Sequence, residues 1–386
     1  MSRITGKYIV STTTGEEVNA FVPHPLPPHP ALEVDQEMKA LLKDAENSLQ
    51  KLDMATQLVL SQEWLLYGFV RKEALVSSQI EGTQATLVDL LSITESNTSE
   101  NADVEEVCNY LNAFNYAWKE ISSDEGLPLS LRLIKNTHEI LLQGVRGSQK
   151  SPGDFRQSQN WIGGLRPSTA RFVPPPPMEM MTCLDELEKY FYNTDDHLPA
   201  LIRIGLIHVQ FETIHPFLDG NGRIGRLLIA LLLKQDGLME SPLLYLSLFF
   251  KKNRDTYYDL LNKVRTKGDW EAWVKFFLTG VKTVSDDVVQ TSSKLHRIIT
   301  EDRKKLLADP QATVSSIRLL EELPQKPIFS VAEIAKKMDL TTPPVNKAVN
   351  VLVKLGIVSE VTGKRRDRVF KYETYLSVLA EGTELI

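Results

Sequence analysis

The sequence predicts a mainly α-helical protein, with a β-hairpin flap inserted into a helical core and a winged helix-turn-helix domain at the C-terminal end. Apolar residues recur at three- and four-residue spacing over most of the chain from residue 31 onwards, which is typical of amphipathic helices. Glycine, proline and serine interrupt that period between residues 144 and 177, where QNWIG and ARFVP are short extended pieces. After residue 313, three short helical stretches precede IVSEV and VFKYE, the arrangement of a winged helix.

These elements divide the chain into five parts. Residues 1–30 carry FVPHPLPPHP and have no helical period, so they form either an extended strap or a disordered tail. Long helices are expected at about residues 32–52, 61–79 and 105–120. In chain order, the parts are a proline-rich arm (1–30), an N-terminal helical region (31–125), a helical catalytic core (126–285), a linker helix (286–312) and the winged helix domain (313–386).

Composition narrows the class of protein. The 386 residues favour two or three domains, and 42% hydrophobic with 24% charged residues is typical of an ordinary globular protein. A net charge of −6 argues against a surface that coats nucleic acid throughout, although it leaves room for a local basic patch. Cys108 and Cys183 have no CxxC spacing, and the sequence has no signal-peptide pattern and no membrane-length apolar run. We therefore expect a cytoplasmic protein without a membrane segment.

One polar segment, HPFLDGNGRIGR at residues 215–226, lies between two strongly apolar helices. Gly220 and Gly222 allow positive φ angles and a close approach of the backbone to a ligand. The segment leads into a helix start, where unpaired N–H groups and the helix dipole favour an anion. Arg223 and Arg226 are three residues apart, so both guanidinium groups can hold phosphate oxygens at that end.

Two further side chains complete this pattern. Asp219 supplies a hard oxygen ligand for a Mg²⁺ ion shared with phosphates, and His215 can accept a proton near neutral pH. The pattern predicts a nucleotide-phosphate site with a metal ligand and a base, while the P-loop pattern GxxxxGK[ST] is absent from the sequence. Three alternatives stay open. His215 could be a core histidine that caps a helix, or His208, Glu212 and His215 could form one metal-binding helix face. The two arginines could also belong to a solvated charged face.

The segment resembles the Fic motif, HPFx[DE]GNGRxxR, and agrees with it at every defining position. The resemblance extends from about residue 31 to about residue 280, and an appended winged helix is also familiar from this family. It implies a protein adenylyltransferase, which moves AMP from ATP onto a serine, threonine or tyrosine hydroxyl of a protein. That target can be the chain itself, and the cofactor would be Mg²⁺ or Mn²⁺.

The resemblance also assigns roles within the motif. His215 would deprotonate the incoming hydroxyl, and Arg223 would stabilise charge on the transferred and leaving phosphates. Asp219 would hold the metal ion, and Phe217 would anchor the loop in the core. The residues implied to bind ATP are Glu81, Gly220, Asn221, Gly222, Arg223, Ile224, Gly225, Arg226, Tyr257 and Tyr258, with Arg226 on the γ-phosphate. Either tyrosine could stack on adenine, and core packing is the alternative for both.

A second match lies upstream, at SSQIEG in residues 77–82, which resembles the inhibitory-helix signature [ST]xxxE[GN] of Fic proteins. It implies that Ser77, Glu81 and Gly82 belong to the end of an N-terminal inhibitory helix. Glu81 would pair with Arg226 and occupy the anchor of the γ-phosphate, so that ATP would bind with its α-phosphate misaligned. The alternative is that Glu81 is an ordinary helix-end residue.

The segments PGDFR, NWIGG and ARFVPPPP resemble the flap of the same family, and a plain surface loop is the alternative. Arg171, Phe172 and Val173 would pair with an extended segment of the target by strand addition. Such pairing fixes the register of the target through main-chain bonds and depends little on its side chains.

The remaining expectations concern partners and rival activities. In the C-terminal domain, TTPPVNKAVNVL would be the recognition helix, for contact with DNA or with another protein. A basic wing would be formed by Lys364, Arg365, Arg366 and Arg368. The chain could form a homodimer. Two rival activities use the same site, namely removal of AMP and transfer of a different group. The third alternative is a DNA-binding regulator whose core only senses a nucleotide.

Overall fold

The computed structural model describes residues 3–58, 62–92, 101–193, 195–364 and 367–385. These residues are mainly helical with two small antiparallel sheets, which confirms the predicted fold class. The helices are α1 (Gln36–Leu58), α2 (Gln62–Ile80), α3 (Leu87–Leu91), α4 (Ala102–Ser122), α5 (Leu131–Leu141), α6 (Pro177–Phe191), α7 (Ala200–Ile214), α8 (Asn221–Gln235), α9 (Ser247–Lys252), α10 (Arg254–Lys267), α11 (Trp270–Ala308), α12 (Val314–Glu322), α13 (Val331–Lys337), α14 (Thr342–Lys354) and α15 (Glu373–Leu379). The strands are β1 (Gly6–Thr13), β2 (Glu16–Pro23), β3 (Ile328–Ser330), β4 (Ser359–Glu360) and β5 (Val369–Lys371).

Two adjacent helices, α7 and α8, form the centre of the fold. All residues of α7 after the first are buried, because its sequence ALIRIGLIHVQFETI is apolar on nearly every face and such a helix is stable inside a core. α8 is buried over most of its length, and it packs against α7, α4 and α2. The polar segment between α7 and α8 is therefore held at both ends by buried helices.

The three long helices predicted near the N-terminus are present with shifted ends. α1 continues to Leu58, beyond the predicted end near residue 52. α2 agrees with the prediction to within one residue at each end. α4 starts three residues early because the Asn101 side chain caps it, accepting the N–H of Asp103.

The proline-rich arm contains a β-hairpin that the sequence analysis did not predict. β1 pairs with β2 in antiparallel register, and Thr14 and Gly15, both with positive φ, form the two-residue turn between them. The prolines that led to the prediction of an extended strap or a disordered tail begin at Pro23, the last residue of β2, and so do not interrupt the strand. The signal that was overlooked is the β-branched stretch YIVSTTT before this turn.

The predicted hairpin between residues 144 and 177 is reduced to a single β-bridge between Ile162 and Phe172. The ladder cannot continue past Val173 because the four residues that follow are prolines, which have no N–H to donate. Instead, the Val173 carbonyl accepts the N–H of Phe21 in β2 at 2.9 Å. The flap is thereby joined to the N-terminal hairpin.

The predicted boundary between the core and the linker helix, at residue 285, lies inside α11. This helix runs without interruption for 39 residues and contains no proline. Its buried residues continue across the predicted boundary, from Val284 to Val288 and Leu295, and it packs along α1. The C-terminal part of the core and the linker are therefore one helix.

Residues 313–386 contain α12, α13 and α14 and a sheet in the order β3-β5-β4. The three helices and the pair β4 and β5 were predicted from the sequence, whereas β3 and α15 were not. β3 has only three residues, which is too short to show the two-residue period of a strand. Of the predicted wing, Arg365 and Arg366 lie outside the described residues, and Arg368 pairs with Glu360 at 3.5 Å. Within the described part of the chain, every helix is too short or too polar to cross a bilayer.

Candidate active site

The predicted motif forms a loop that joins the end of α7 to the start of α8. His215 ends α7 in the left-handed conformation, with φ 50° and ψ 63°, and its N–H donates to the Phe211 carbonyl at 2.9 Å. Gly220 precedes α8 with φ 78°, a conformation that favours glycine. The first turn of α8, whose N–H groups have no partner within the helix, lies directly after this loop, as in an anion site.

Phe217 and Asn221 fix the loop from the inside. Phe217 is fully buried, and its ring stacks on His138 of α5 with 3.7 Å between the centroids and 9° between the planes. The Asn221 side chain accepts the Phe217 N–H and donates to the Phe217 carbonyl, both at 2.8 Å. The side chain of Asn221 is thus committed to the loop, and its backbone N–H is the group left to meet a phosphate.

His138 was not identified from the sequence, yet it contacts two sides of this loop. Its Nδ1 accepts the N–H of Gly153 at 3.0 Å, so the neutral ring carries its proton on Nε2. Nε2 donates to the Asp219 carbonyl, also at 3.0 Å. Burial lowers the pKa of His138 to about 4, which keeps the ring neutral at pH 7. His138 therefore helps to set the position of Asp219.

Replacing His138 with leucine is expected to lower the free energy of unfolding by about 1–3 kcal/mol, since it removes the hydrogen-bond partner of two partly buried polar groups. These are the N–H of Gly153 and the carbonyl of Asp219. Urea denaturation measures the change. His296→Leu, at an exposed position of α11, is the matched control and should change stability little. Equal effects of the two substitutions would contradict the prediction.

Arg156, within PGDFR, holds the backbone of the loop. Its buried guanidinium donates to the carbonyls of His215 at 2.9 Å, Ser158 at 3.2 Å and Pro175 at 2.5 Å. The Arg156 N–H also donates to the Pro216 carbonyl at 2.9 Å. Burial lowers the pKa of Arg156 to about 10, so it is still a cation at pH 7. This positive charge lies beside the imidazole of His215.

His215 is neutral at physiological pH. Burial, and then the Arg156 charge, lower the pKa of His215 to about 4. The alternative of a metal-binding face with His208 is not supported, because His208 Nδ1 bonds to the Gly225 carbonyl at 3.0 Å and Nε2 to the Tyr257 hydroxyl at 2.9 Å. The described residues contain no group of three His, Cys, Asp or Glu side chains placed to hold a metal ion.

The pKa of His215 predicts the pH dependence of any reaction in which it is the base. Only the unprotonated imidazole accepts a proton, so the rate should stay near its maximum down to about pH 5 and fall as the pH passes through about 4. An ordinary histidine would already lose half of its activity near pH 6.5. Initial rates across this range, with circular dichroism at each pH to exclude unfolding, measure the midpoint. A midpoint near pH 6.5 would contradict the assignment of a His215 imidazole with a pKa of about 4 as the base.

Arg223 is fully buried between two carboxylates. Its Nη1 donates to Glu106 Oε1 at 2.6 Å and its Nη2 to Asp219 Oδ1 at 3.3 Å. Glu106, on α4, is also buried and accepts a bond from Arg146 at 3.2 Å. Glu106 was not predicted from the sequence, although it fixes the direction of the Arg223 side chain toward the loop.

Asp219 has one oxygen suited to a cation. Its Oδ1 accepts the N–H of Gly220 at 2.6 Å and the bond from Arg223, whereas Oδ2 points toward Gly147, where a Cβ would lie 3.1 Å away. The side chain is 35% exposed, so solvent can reach it. Mg²⁺ is commonly held by one or two carboxylates together with substrate phosphates. The Oδ2 atom of Asp219 is thus of the type that binds Mg²⁺ or Mn²⁺ in proteins.

Arg226 is bound by the end of α2. Its Nε donates to Ser77 Oγ and its Nη2 to the Ser77 carbonyl, both at 2.9 Å, and Nη2 also donates to Glu81 Oε1 at 2.8 Å. Burial raises the pKa of Glu81, but the Arg226 guanidinium outweighs burial and holds that pKa below its ordinary value. The structure thus brings Ser77 and Glu81 onto Arg226, the contact that the resemblance implies.

Three glycines permit this close contact. A Cβ on Gly222 would lie 2.3 Å from Glu81 Oε1, and a Cβ on Gly225 would lie 2.3 Å from Glu212 Oε1. Gly82 follows Glu81 with φ 100° and turns the chain away from α2. A side chain at Gly222 or Gly225 would therefore displace the carboxylate of Glu81 or Glu212 from its present position.

The predicted adenine-binding residues lie in different environments. Tyr257 is 1% exposed, its ring centroid lies 4.5 Å from that of Phe250, and its hydroxyl bonds to His208. Tyr257 is therefore a residue of the core. Tyr258 is only partly buried, and the Arg254 guanidinium lies 5.6 Å from its ring centroid. The side chain of Ile224 is also buried. Of the two tyrosines, only Tyr258 has a face available to a ligand.

The predicted flap residues are partly covered by the chain itself. Arg171 is exposed, whereas Phe172 and Val173 are buried. Phe172 lies under the Arg265 guanidinium, 3.9 Å from the ring centroid, and the Val173 carbonyl is bonded to β2. The Val173 carbonyl is therefore not free to pair with a target strand, because β2 of the N-terminal hairpin already bonds to it.

Comparison with known proteins identifies two matching regions. Residues 128–233 match the model of the Fic/DOC family, and residues 39–119 match that of the Fic/DOC family N-terminal region. The chain is 28% identical over 250 residues to "Protein adenylyltransferase Fic" of Drosophila mojavensis, covering 63% of this chain and 47% of that protein. The same-named protein of Drosophila grimshawi is 27% identical over 244 residues, covering 61% of this chain and 47% of that protein. The chain spans about half the length of these curated relatives.

Solved structures share the fold. A Fic family protein from Desulfovibrio desulfuricans G20 superposes with a TM-score of 0.58 at 17% identity, covering 88% of this chain and 97% of that one. Fic-1 (residues 134–508) from C. elegans has a TM-score of 0.51 at 18% identity, covering 66% of this chain and 72% of that one. The two family matches and the complete HPFLDGNGRIGR loop lead to one conclusion: residues 39–119 and 128–233 are similar in sequence to the Fic/DOC family, and the solved structures share the fold.

Proposed function

We propose that this protein is an adenylyltransferase that moves AMP from ATP to a hydroxyl group of a protein, and that its resting state is autoinhibited. The observation that carries the proposal is the convergence of His215, Asp219, Arg223 and Arg226 at the N-terminal end of α8. A helix N-terminus with two arginines suits a triphosphate, and a neutral imidazole suits a base. The similarity to two Drosophila proteins named protein adenylyltransferase supports the same activity.

Each group has one task in this chemistry. The target hydroxyl oxygen attacks the α-phosphorus of ATP, the bond to the bridging oxygen of the β-phosphate breaks, and pyrophosphate leaves. His215 accepts the hydroxyl proton. Arg223 and the N–H groups at the start of α8 stabilise the charge on the phosphates. Bound through Asp219, Mg²⁺ would neutralise charge on the leaving phosphates.

The inhibited state follows from the contacts of Arg226. A γ-phosphate bound there would have to displace the Glu81 carboxylate, which lies 2.8 Å from Nη2 and carries the same sign of charge. The two Ser77 bonds keep the guanidinium oriented after Glu81 has left. Glu81 is the residue between Ile80, the last residue of α2, and Gly82, so rotation at this turn can move the carboxylate without unwinding the helix.

Intact-mass measurement after incubation with Mg-ATP tests the activity, with Glu81→Gly as the active form. The expected product carries the added mass of one AMP on the chain or on an added protein. A mass increase of phosphate or of another nucleotide would replace adenylyl transfer with a different transfer at the same site. Release of AMP from a modified protein would show the reverse reaction. Specific, salt-dependent DNA binding without any covalent product would favour a nucleotide-sensing regulator.

The proposal extends to partners. The target is a protein hydroxyl, with the chain itself as one candidate, and ATP is the donor. The C-terminal domain is assigned a contact with DNA or with a protein, supported by the exposed Lys364 and by the exposed start of α14 at Thr342 and Pro343. A homodimer and a cytoplasmic location remain part of the proposal, the latter supported by the free thiols of Cys108 and Cys183.

A further inference from the structure

The last residues of the chain contact the end of α2, next to Glu81. We define the C-terminal tail as residues 380–385, which follow α15. The Gln79 side chain donates to the Thr383 carbonyl at 3.0 Å, and Lys251 of α9 donates to the Glu384 carbonyl at 2.5 Å. Lys251 also donates to Gln79 Oε1 at 2.7 Å. The tail, α9 and the last turn of α2 are thus joined by one hydrogen-bond network.

Two members of this network are largely buried. Lys251 is 6% exposed and Thr383 is 5% exposed. The second hydrogen of the Gln79 amide donates to the Ala85 carbonyl at 3.0 Å, on the far side of the turn at Gly82. Gln79 therefore connects both sides of the turn that carries Glu81 to the tail. Without the tail, Gln79 and Lys251 would each lose one buried partner.

α15 holds the tail in place along α2. Leu379 lies so close to Gly68 that a Cβ on this glycine would be 3.0 Å from its side chain. The rings of Tyr375 and Trp64 meet edge to face with 6.3 Å between centroids. Tyr372, the residue before α15, bonds through its hydroxyl to Asp302 of α11 at 2.8 Å. α2 is thus contacted from its first turns to its last by the C-terminal segment.

From these contacts we propose that the C-terminal tail is a second inhibitory element, which holds the last turn of α2 in the position that places Glu81 on Arg226. The inference rests on the autoinhibited transferase proposed above. Displacement of the tail frees Gln79, loosens the turn at Gly82, and lets Glu81 leave Arg226. Beside the same turn lies a cavity of about 200 Å³ lined by Gly82, Arg254 and Leu385, which gives the turn room to move.

Removing the tail tests the proposal. A chain that ends at Glu381 should incorporate AMP about tenfold faster than the full chain, within the usual range of coupling between two sites. Lys251→Met, which removes the ammonium group shared by Gln79 and the tail, should act in the same direction. Lys304→Met is the matched control, since Lys304 is an exposed lysine of α11. Hydrogen exchange of the amides at residues 81–83 should become faster in the truncated chain and in Lys251→Met.

The two levels of the proposal fail differently. If Glu81→Gly gives no AMP adduct, the transferase assignment itself is wrong. If Glu81→Gly is active while the truncated chain and Lys251→Met stay as slow as the full chain, the tail is not an inhibitory element. In the Glu81→Gly background, truncation should add nothing further, because the tail acts through Glu81. An equal acceleration in both backgrounds would overturn this route of action.

Discussion

Replacing His215 with alanine is expected to reduce AMP transfer by about 10²- to 10⁴-fold, the contribution of a positioned general base. No other side chain can substitute readily, since the neighbouring Arg156 is a cation and Glu212 points its Oε1 toward Gly225. The substitution should leave nucleotide binding nearly unchanged, because the proposed phosphate contacts come from the start of α8. Initial rates of AMP incorporation and nucleotide titration, both in the Glu81→Gly background, separate the two effects.

The control for this substitution is His296→Ala, which removes an exposed imidazole of α11 and should leave the rate unchanged. A circular dichroism spectrum and melting temperature close to those of the parent chain exclude unfolding as the cause. If His215→Ala retained a tenth or more of the rate, the base would have to be sought elsewhere.

The second large effect is expected for Glu81→Gly, which should raise the rate by about 100-fold if the closed arrangement accounts for about 99% of the molecules. Arg226 would lose the hydrogen bond that it donates to Glu81 and keep the two that it donates to Ser77. Its guanidinium would therefore stay oriented toward a γ-phosphate. Glu81 follows the last residue of α2, so the glycine breaks no helical turn. Initial rates of AMP incorporation measure the increase.

Two further variants make the second prediction specific. Glu81→Gln keeps the size of the side chain and removes its charge, and it should give an intermediate rate. Glu125→Gly removes an exposed carboxylate outside the site and should change nothing. An unchanged rate in Glu81→Gly, together with intact nucleotide binding, would mean that the ion pair of Glu81 with Arg226 supports the fold and does not inhibit transfer.

The motif could be found from the sequence because its chemistry is local. His215, Asp219, Arg223 and Arg226 lie within twelve residues, between two helices whose apolar character is evident from the residues alone. The helical fold follows in the same way, from apolar residues at three- and four-residue spacing.

Residues that support the loop from other elements could not be found in this way. Glu106 lies on α4 among residues typical of any amphipathic helix, and only packing places its carboxylate on Arg223. His138 and Arg156 reach the loop from α5 and from the segment after it, and nothing in their local sequence indicates burial. Tyr257 shows the opposite case, because a tyrosine next to another on a helix gives no sign of which one faces the core.

The N-terminal hairpin and the flap illustrate why short strands are difficult to predict. Pairing of Phe21 with Val173 joins two segments separated by about 150 residues, and neither has a long alternating pattern. The prolines after Val173 stop the flap ladder, a limit that the sequence does contain. The sequence does not show that β2 would bond to the Val173 carbonyl, because that contact depends on the fold of the whole chain.

The continuity of α11 has a practical consequence for any attempt to dissect the protein. At about 1.5 Å per residue its 39 residues make a rod of about 58 Å that belongs to both halves of the chain. A fragment cut at residue 285 would end in mid-rod and would strip α1 of much of the surface it packs on, along with Val288 and Leu295. Because the helix contains no proline, no proline break separates the C-terminal domain from the core along this length.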